Sequence, residues 1–204
     1  MAKDRNSHLR QQIAQMAARL MADEGILDYG HAKRKASRQL GISDDRCMPT
    51  NAEVEEEIRI FHEIYNSDVQ PEVLKQLRQD ALVVMRMLER FDPHLTGPVL
   101  DGTAGKHATT DIHLYAESLK EVEIYLLNLQ IPYESNEKSY RMHGDKRGNG
   151  RRKIPVFTLE GPNGLIRLSV FDDEAHNTHV RSPVNGQSLQ KANLASVTAL
   201  LKSS

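Results

Sequence analysis

Two side chains with the means to do chemistry stand two residues apart, Asp111 and His113, in the run Asp111-Ile112-His113-Leu114-Tyr115. A strand alternates faces, so the acid and the imidazole share one face and Ile112 and Leu114 take the other. Carboxylate oxygen suits hard divalent ions such as Mg²⁺, whereas neutral imidazole suits softer ions such as Mn²⁺ or Zn²⁺. Further acids, Asp172 and Asp173, close the apolar run Leu165–Phe171. Alternation puts Asp173 on the face of Arg167 and Ser169, and Asp172 on that of Ile166, Leu168 and Val170. If the mid-strand position faces Asp111, Arg167 fills it, and a cation there repels metal. Upstream, Gly102-Thr103 forms a turn. Its glycine tolerates unusual backbone angles and lets a ligand approach the main chain, while Thr103 offers a hydroxyl and an N–H.

Together, the Gly-Thr turn and the Asp-apolar-His-apolar strand within Gly97–Glu117 resemble the DNA polymerase β-like nucleotidyltransferase superfamily. That resemblance implies a turn, Gly102 and Thr103, that holds a triphosphate. It also implies Asp111 as the first of the carboxylates that hold Mg²⁺ or Mn²⁺, with Asp172 or Asp173 as a later one. His113 stands where the superfamily has a second acid, as an unusual ligand or a general base. The segment Ala104–Thr110 is shorter than the superfamily's. The chain also resembles a widespread bacterial group of small proteins with a degenerate domain of this kind. This rests on Ala17-Ala18-Arg19-Leu20, Asp28-Tyr29, Ala32-Lys33-Arg34-Lys35-Ala36, the Gly102-Thr103-Ala104 turn and Pro155-Val156-Phe157. That group brings a fold and no activity.

Other motifs are weaker. Gly102–His107 is not a P-loop, because Leu100 replaces the first glycine and His107 the Ser or Thr. Lys106 remains able to reach a phosphate as a point charge. Two basic stretches are suited to phosphate contacts that weaken with salt. One is Lys33, Arg34, Lys35 and Arg38; the other runs from Arg141 through Lys146, Arg147, Arg151, Arg152 and Lys153. For the first, pairing with the acidic helix that follows is the favoured reading. Among nine histidines, only His176 and His179 sit close in sequence near acids, a slight metal signal. The single cysteine, Cys47, excludes an internal disulfide and a cysteine-based zinc cluster.

These residues need a frame. The chain has 204 residues, 39% of them apolar and no Trp, so its core relies on Leu, Ile, Val, Met and Ala. A net charge of −1 provides no global field for polyanions. No apolar run nears the roughly 20 residues of a membrane span, and the polar start lacks a secretory segment; a cytoplasmic protein is expected. Periodicity predicts helices over Ser7–Glu24 (capped by Ser7), Asp28–Leu40, Asn51 to about Tyr65, Pro71 to Phe91, one after Ser118, and Gln187–Lys202. Strands are predicted at Pro98–Leu100, Asp111–Tyr115 and Tyr133–Met142, with a hairpin over Lys153–Glu160 and Gly164–Asp172. The expectation is an α+β protein: a helical N-terminal region, 1–68, then a nucleotidyltransferase-like domain with a small mixed sheet, 69–204. Three functions fit. The first is nucleotidyl transfer from a nucleoside triphosphate to an acceptor such as RNA or protein. The second is a degenerate nucleotide- or RNA-binding module, with Arg147, Arg151 and Arg152 on phosphate. The third is a scaffold for protein partners.

Overall fold

The computed structural model describes residues 2–142, 150–173 and 180–203. The fold is α+β, with seven α-helices and a five-stranded mixed sheet among the described residues. Contacts divide the chain into two compact units.

The first unit holds Met1–Pro71, Gly105–Ala108 and Pro183–Asn185. Its helices are α1 (Ala2–Glu24), α2 (Tyr29–Gln39) and α3 (Asn51–Tyr65). α1 begins ahead of Ser7, so Ser7 lies inside the helix rather than capping it. Asp28 caps α2 by accepting from the His31 N–H. Thr50 caps α3, in a capping box closed by Glu53. A core of Ile13, Ala14, Ala17, Leu20, Ala32, Ala36, Val54 and Ile58 joins the three helices. The alanines let α1 and α2 approach closely, and Cys47 is buried in the same core.

The second unit holds Glu72–Ala104, Thr109–Ser182 and Gly186–Ser204. Helix α4 (Gln70–Met87) leads through a 3₁₀ turn to strand β1 (His94–Thr96). The apolar Pro98–Leu100, predicted as a strand, is instead the start of a one-turn helix, α5 (Pro98–Asp101). Proline suits the first turn of a helix, and Gly102 ends it with φ 84°. Strand β2 (Thr110–Ala116) is followed by α6 (Leu119–Asn128), capped by Ser118 as predicted. Then come β3 (Glu134–Arg141) and the hairpin β4 (Arg151–Gly161) and β5 (Gly164–Asp172). Gln187–Asn193 is not helical: Leu189 N–H donates to Val180, and Ala192 exchanges hydrogen bonds with Leu95 of β1. Helix α7 starts only at Leu194 and runs to Ser203.

The sheet order is β1-β2-β5-β4-β3, with β2 and β5 parallel and the other pairs antiparallel. One face carries Ile112, Leu114, Ile166, Leu168, Phe157 and Leu159, all buried. The other face carries Asp111, His113, Arg167 and Ser169, together with a second buried cluster of Tyr115, Tyr140, Met142, Ile154, Phe171 and Val180.

Candidate functional site

Register assembles the polar face. Asp111 pairs with Arg167, His113 with Ser169, and Tyr115 with Phe171. From the far strand β3 come Lys138 and Tyr140. Three strand spacings in a flat sheet separate β2 from β3 by about 14 Å. Yet the His113 and Tyr140 rings meet edge to face with centroids 5.4 Å apart. Tyr140 and Ser169 hydroxyls also share a 2.6 Å hydrogen bond. The sheet therefore curls, and this face is its concave side.

At the centre is Asp111, buried, with Arg167 gripping it in a two-bond fork. Arg167 Nε donates to Asp111 Oδ1 at 2.8 Å and an Nη donates to Oδ2 at 3.0 Å. Lys138 Nζ lies 3.6 Å from the same Oδ1. The cation that alternation placed opposite Asp111 thus occupies the carboxylate. The Thr96 hydroxyl donates to the Asp111 backbone carbonyl, and Gly97 packs close beneath its side chain. A Cβ at Gly97 would sit 3.5 Å from Oδ2, and its φ is +70°.

His113 has 1% of its surface exposed and packs between Tyr140 and Phe171. Neither ring nitrogen has a hydrogen-bond partner. Burial, reinforced by the charges of Lys138 and Lys191, pushes its pKa from 6.5 down to about 3. The imidazole is neutral. Burial also lowers the Lys138 pKa, opposed by the attraction of Asp111. It raises that of Tyr140, again with help from Asp111. On the other flank Lys191 Nζ donates to the Tyr115 hydroxyl at 2.7 Å.

The other predicted residues lie elsewhere. Ala116, five residues beyond Asp111, pairs with Asp172. At about 3.3 Å per residue this puts Asp172 about 16 Å along the strands and, by odd count, on the opposite face. Asp172 is exposed and paired with Arg152; Asp173 is exposed in a turn. Asp111, His113, Asp172 and Asp173 are therefore not brought together. No group of three metal-ligating side chains occurs among the described residues. Among the described residues no second acid stands beside Asp111, so this donor set does not fit a pair of divalent ions.

Nor is the Gly-Thr turn open to a phosphate through its amides. The N–H groups of Gly102, Thr103 and Ala104 all point to the Pro98 carbonyl, at 3.0, 3.0 and 3.1 Å. Thr103 is buried. Lys106 is exposed and belongs by its contacts to the helical unit. Arg151 and Arg152 are exposed at the start of β4, and Arg147 lies outside the described residues, as do His176 and His179. In α2, Lys33 donates to the Pro49 carbonyl and to Asn51 of α3, and Lys35 pairs with Glu24 of α1.

Sequence reasoning missed Lys138, Tyr140 and Lys191. Lys138 and Tyr140 both stand at even positions of β3 and so share a face, but no sequence signal carries the curl. It also missed Arg78, buried in α4, whose guanidinium donates to the Val99 and Leu100 carbonyls of α5.

No protein-family model, curated protein or solved structure matches this chain.

Proposed function

We propose that this chain is a nucleotidyltransferase-like module that binds a nucleotide without metal and does not transfer it. The observation that carries this reading is the Arg167 fork on Asp111, with Lys138 beside it. A carboxylate that accepts two guanidinium bonds has few lone pairs left for Mg²⁺, and the adjacent cations repel the ion. The resemblance of Gly97–Glu117 to nucleotidyltransferases supports a nucleotide as the ligand. The two cations beside Asp111, Arg167 and Lys138, support an anion there.

Two measurements test the reading. Calorimetric titration with each nucleoside triphosphate in EDTA is expected to show binding. Incubation with α-labelled triphosphates, Mg²⁺ or Mn²⁺ and cell extract is expected to move no label. Metal-dependent labelling of RNA, protein or a small molecule by wild type, lost in Asp111→Ala, overturns the non-catalytic reading in favour of the enzyme. Absence of binding to every triphosphate removes the nucleotide module.

A further inference from the structure

Strand β3 stands at one end of the sheet, so one of its edges faces away from β4. Backbone groups along an antiparallel strand point alternately to its two sides. Met142 continues the β3–β4 ladder and donates its N–H to the Gly150 carbonyl at 2.7 Å, which assigns the even residues to β4. The odd residues point outward. Arg141 agrees, because its carbonyl accepts from the Arg181 N–H at 2.7 Å, on the side away from β4. That contact and the Met142–Val180 bridge cover one end of the edge. The outward N–H and C=O groups of Ser135, Glu137 and Ser139 have no backbone partner among the described residues, and all three residues are exposed.

An open edge is a template for another strand, and charged side chains ordinarily guard it. β3 carries Glu134, Glu137, Lys138 and Arg141, so this guard has both signs. Consider two copies joined edge to edge about a two-fold axis normal to the sheet. Facing residues must then both point outward or both inward, so the axis passes through a residue and pairs like parities. Centring on Glu137 sets two carboxylates opposite each other. Centring on Lys138 sets two ammonium groups opposite each other. Centring on Ser139 needs the outward carbonyl of Arg141, which Arg181 already holds. Centring on Ser135 sets Pro132 against Lys138 and gives no opposite-charge pair. Centring on Asn136 pairs Ser135 with Glu137 and Glu134 with Lys138, in both directions. Glu134 is exposed, and Lys138 keeps 37% of its side chain exposed beside Asp111.

Apolar surface adjoins this edge. The Tyr133 hydroxyl, one residue before β3, donates to Glu123 Oε1 at 2.9 Å, so that flank of α6 lies by the start of the strand. Leu127, four residues on, continues the flank and is 58% exposed, and Ile124 is 56% exposed. We propose that this chain forms a symmetric dimer in which two β3 edges pair antiparallel about Asn136, joining the two five-stranded sheets into one. Ser135 and the partner's Glu137 exchange backbone hydrogen bonds, and Glu134 faces the partner's Lys138.

Sedimentation of the full chain over a range of concentrations tests this, and wild type is expected to dimerise. The variants are Ser135→Pro, Glu134→Lys, Lys138→Glu and Leu127→Glu, each checked for a wild-type circular dichroism spectrum and a cooperative melt. Ser135→Pro removes an outward N–H and spares the β3–β4 ladder. It is expected to weaken association at least about tenfold, for the loss of about one hydrogen bond per copy. Glu134→Lys and Lys138→Glu each set like charges opposite each other and are expected to be monomeric alone. Mixed one to one they recover both opposite-charge pairs and are expected to dimerise. In wild type, amide exchange at Ser135 and Glu137 is expected to slow as the dimer forms. If Lys138→Glu does not fold, Glu134→Lys and the amide exchange decide. A wild type that stays monomeric at every concentration overturns the proposal. So does a dimer that survives all three β3 substitutions and is broken only by Leu127→Glu. Charge variants that dimerise alone, or whose mixture stays monomeric, overturn the pairing about Asn136.

Discussion

At the scale of single residues, the decisive feature is who neutralises Asp111. In an acid-lined metal site, removing one carboxylate relieves repulsion, and the metal-free fold stays as stable or gains. Here the carboxylate is the counter-ion of Arg167 and Lys138, so its loss strands two cations. Asp111→Ala is expected to cost about 3 kcal/mol in urea unfolding, the low end for a buried pair because Arg167 keeps some solvent. Adding Arg167→Met to that variant is expected to recover part of the loss, and a double-mutant cycle measures the coupling. An unchanged or higher midpoint for Asp111→Ala would sink this account. His113 makes a second prediction. Its native pKa, about 3, lies below the unfolded value of 6.5. Between these values the unfolded chain binds a proton that the native state refuses. The stability attached to His113 is therefore complete above pH 6.5 and falls as pH drops toward about 3. At about pH 4.5 the loss amounts to about 3 kcal/mol. His113→Leu is expected to remove this part of the acid slope and, by deleting two orphan nitrogens, to unfold later at neutral pH as well. Parallel slopes for the two proteins would contradict the buried, neutral imidazole.

Among elements, α5 shows how a short turn is held. It is one turn long, too short to persist by its own hydrogen bonds. Two things fix it: the Pro98 carbonyl that collects three N–H groups, and Arg78, which reaches from α4 to the Val99 and Leu100 carbonyls. Arg78→Met is expected to cost about 2 kcal/mol by leaving those acceptors unmet. Lysine is not expected to rescue it, since a single ammonium lacks the fork that spans two carbonyls. Rescue by lysine in thermal unfolding would show that charge alone suffices. The same elements show what the sequence could and could not disclose. Alternation alone put Asp111 and His113 on one face and Arg167 and Ser169 on another strand's face; parallel register then joined them. The Ser118 cap, the β4–β5 hairpin and the helices of the first unit were readable because each rests on local signals. The α5 turn was not, because three apolar residues, Pro98–Leu100, have no period that distinguishes a strand from a helix. The stretch Gln187–Asn193 has helical periodicity yet pairs with Leu95 and Val180, a tertiary choice that overrides propensity. Lys138 and Lys191 stayed hidden for the same reason: they reach the site only after the sheet curls and the chain returns along β1.

For the whole molecule, the contrast is between a net charge of −1 and two cations, Arg167 and Lys138, gathered at one carboxylate, Asp111. A chain this neutral offers polyanions no long-range attraction, so a small anion held at short range suits it better than extended nucleic acid. The register also leaves Asp172 about 16 Å along the strands from the Asp111 level. Metal and nucleotide therefore separate cleanly as probes of the native state. A ligand that binds only the folded protein stabilises it by about 2.7 kcal/mol at a hundred times its Kd. For a unit of this size that is a rise in Tm of several degrees. ATP in EDTA is expected to produce such a rise, while millimolar Mg²⁺ or Mn²⁺ alone leaves Tm unmoved and adds nothing to the effect of ATP beyond chelating it. Lys138→Met should lose most of the ATP shift. A Tm that rises with Mn²⁺ alone, and does not in Asp111→Ala, would mean that the ion displaces Arg167 from its carboxylate. The fork would then be the resting state of a metal site rather than its replacement.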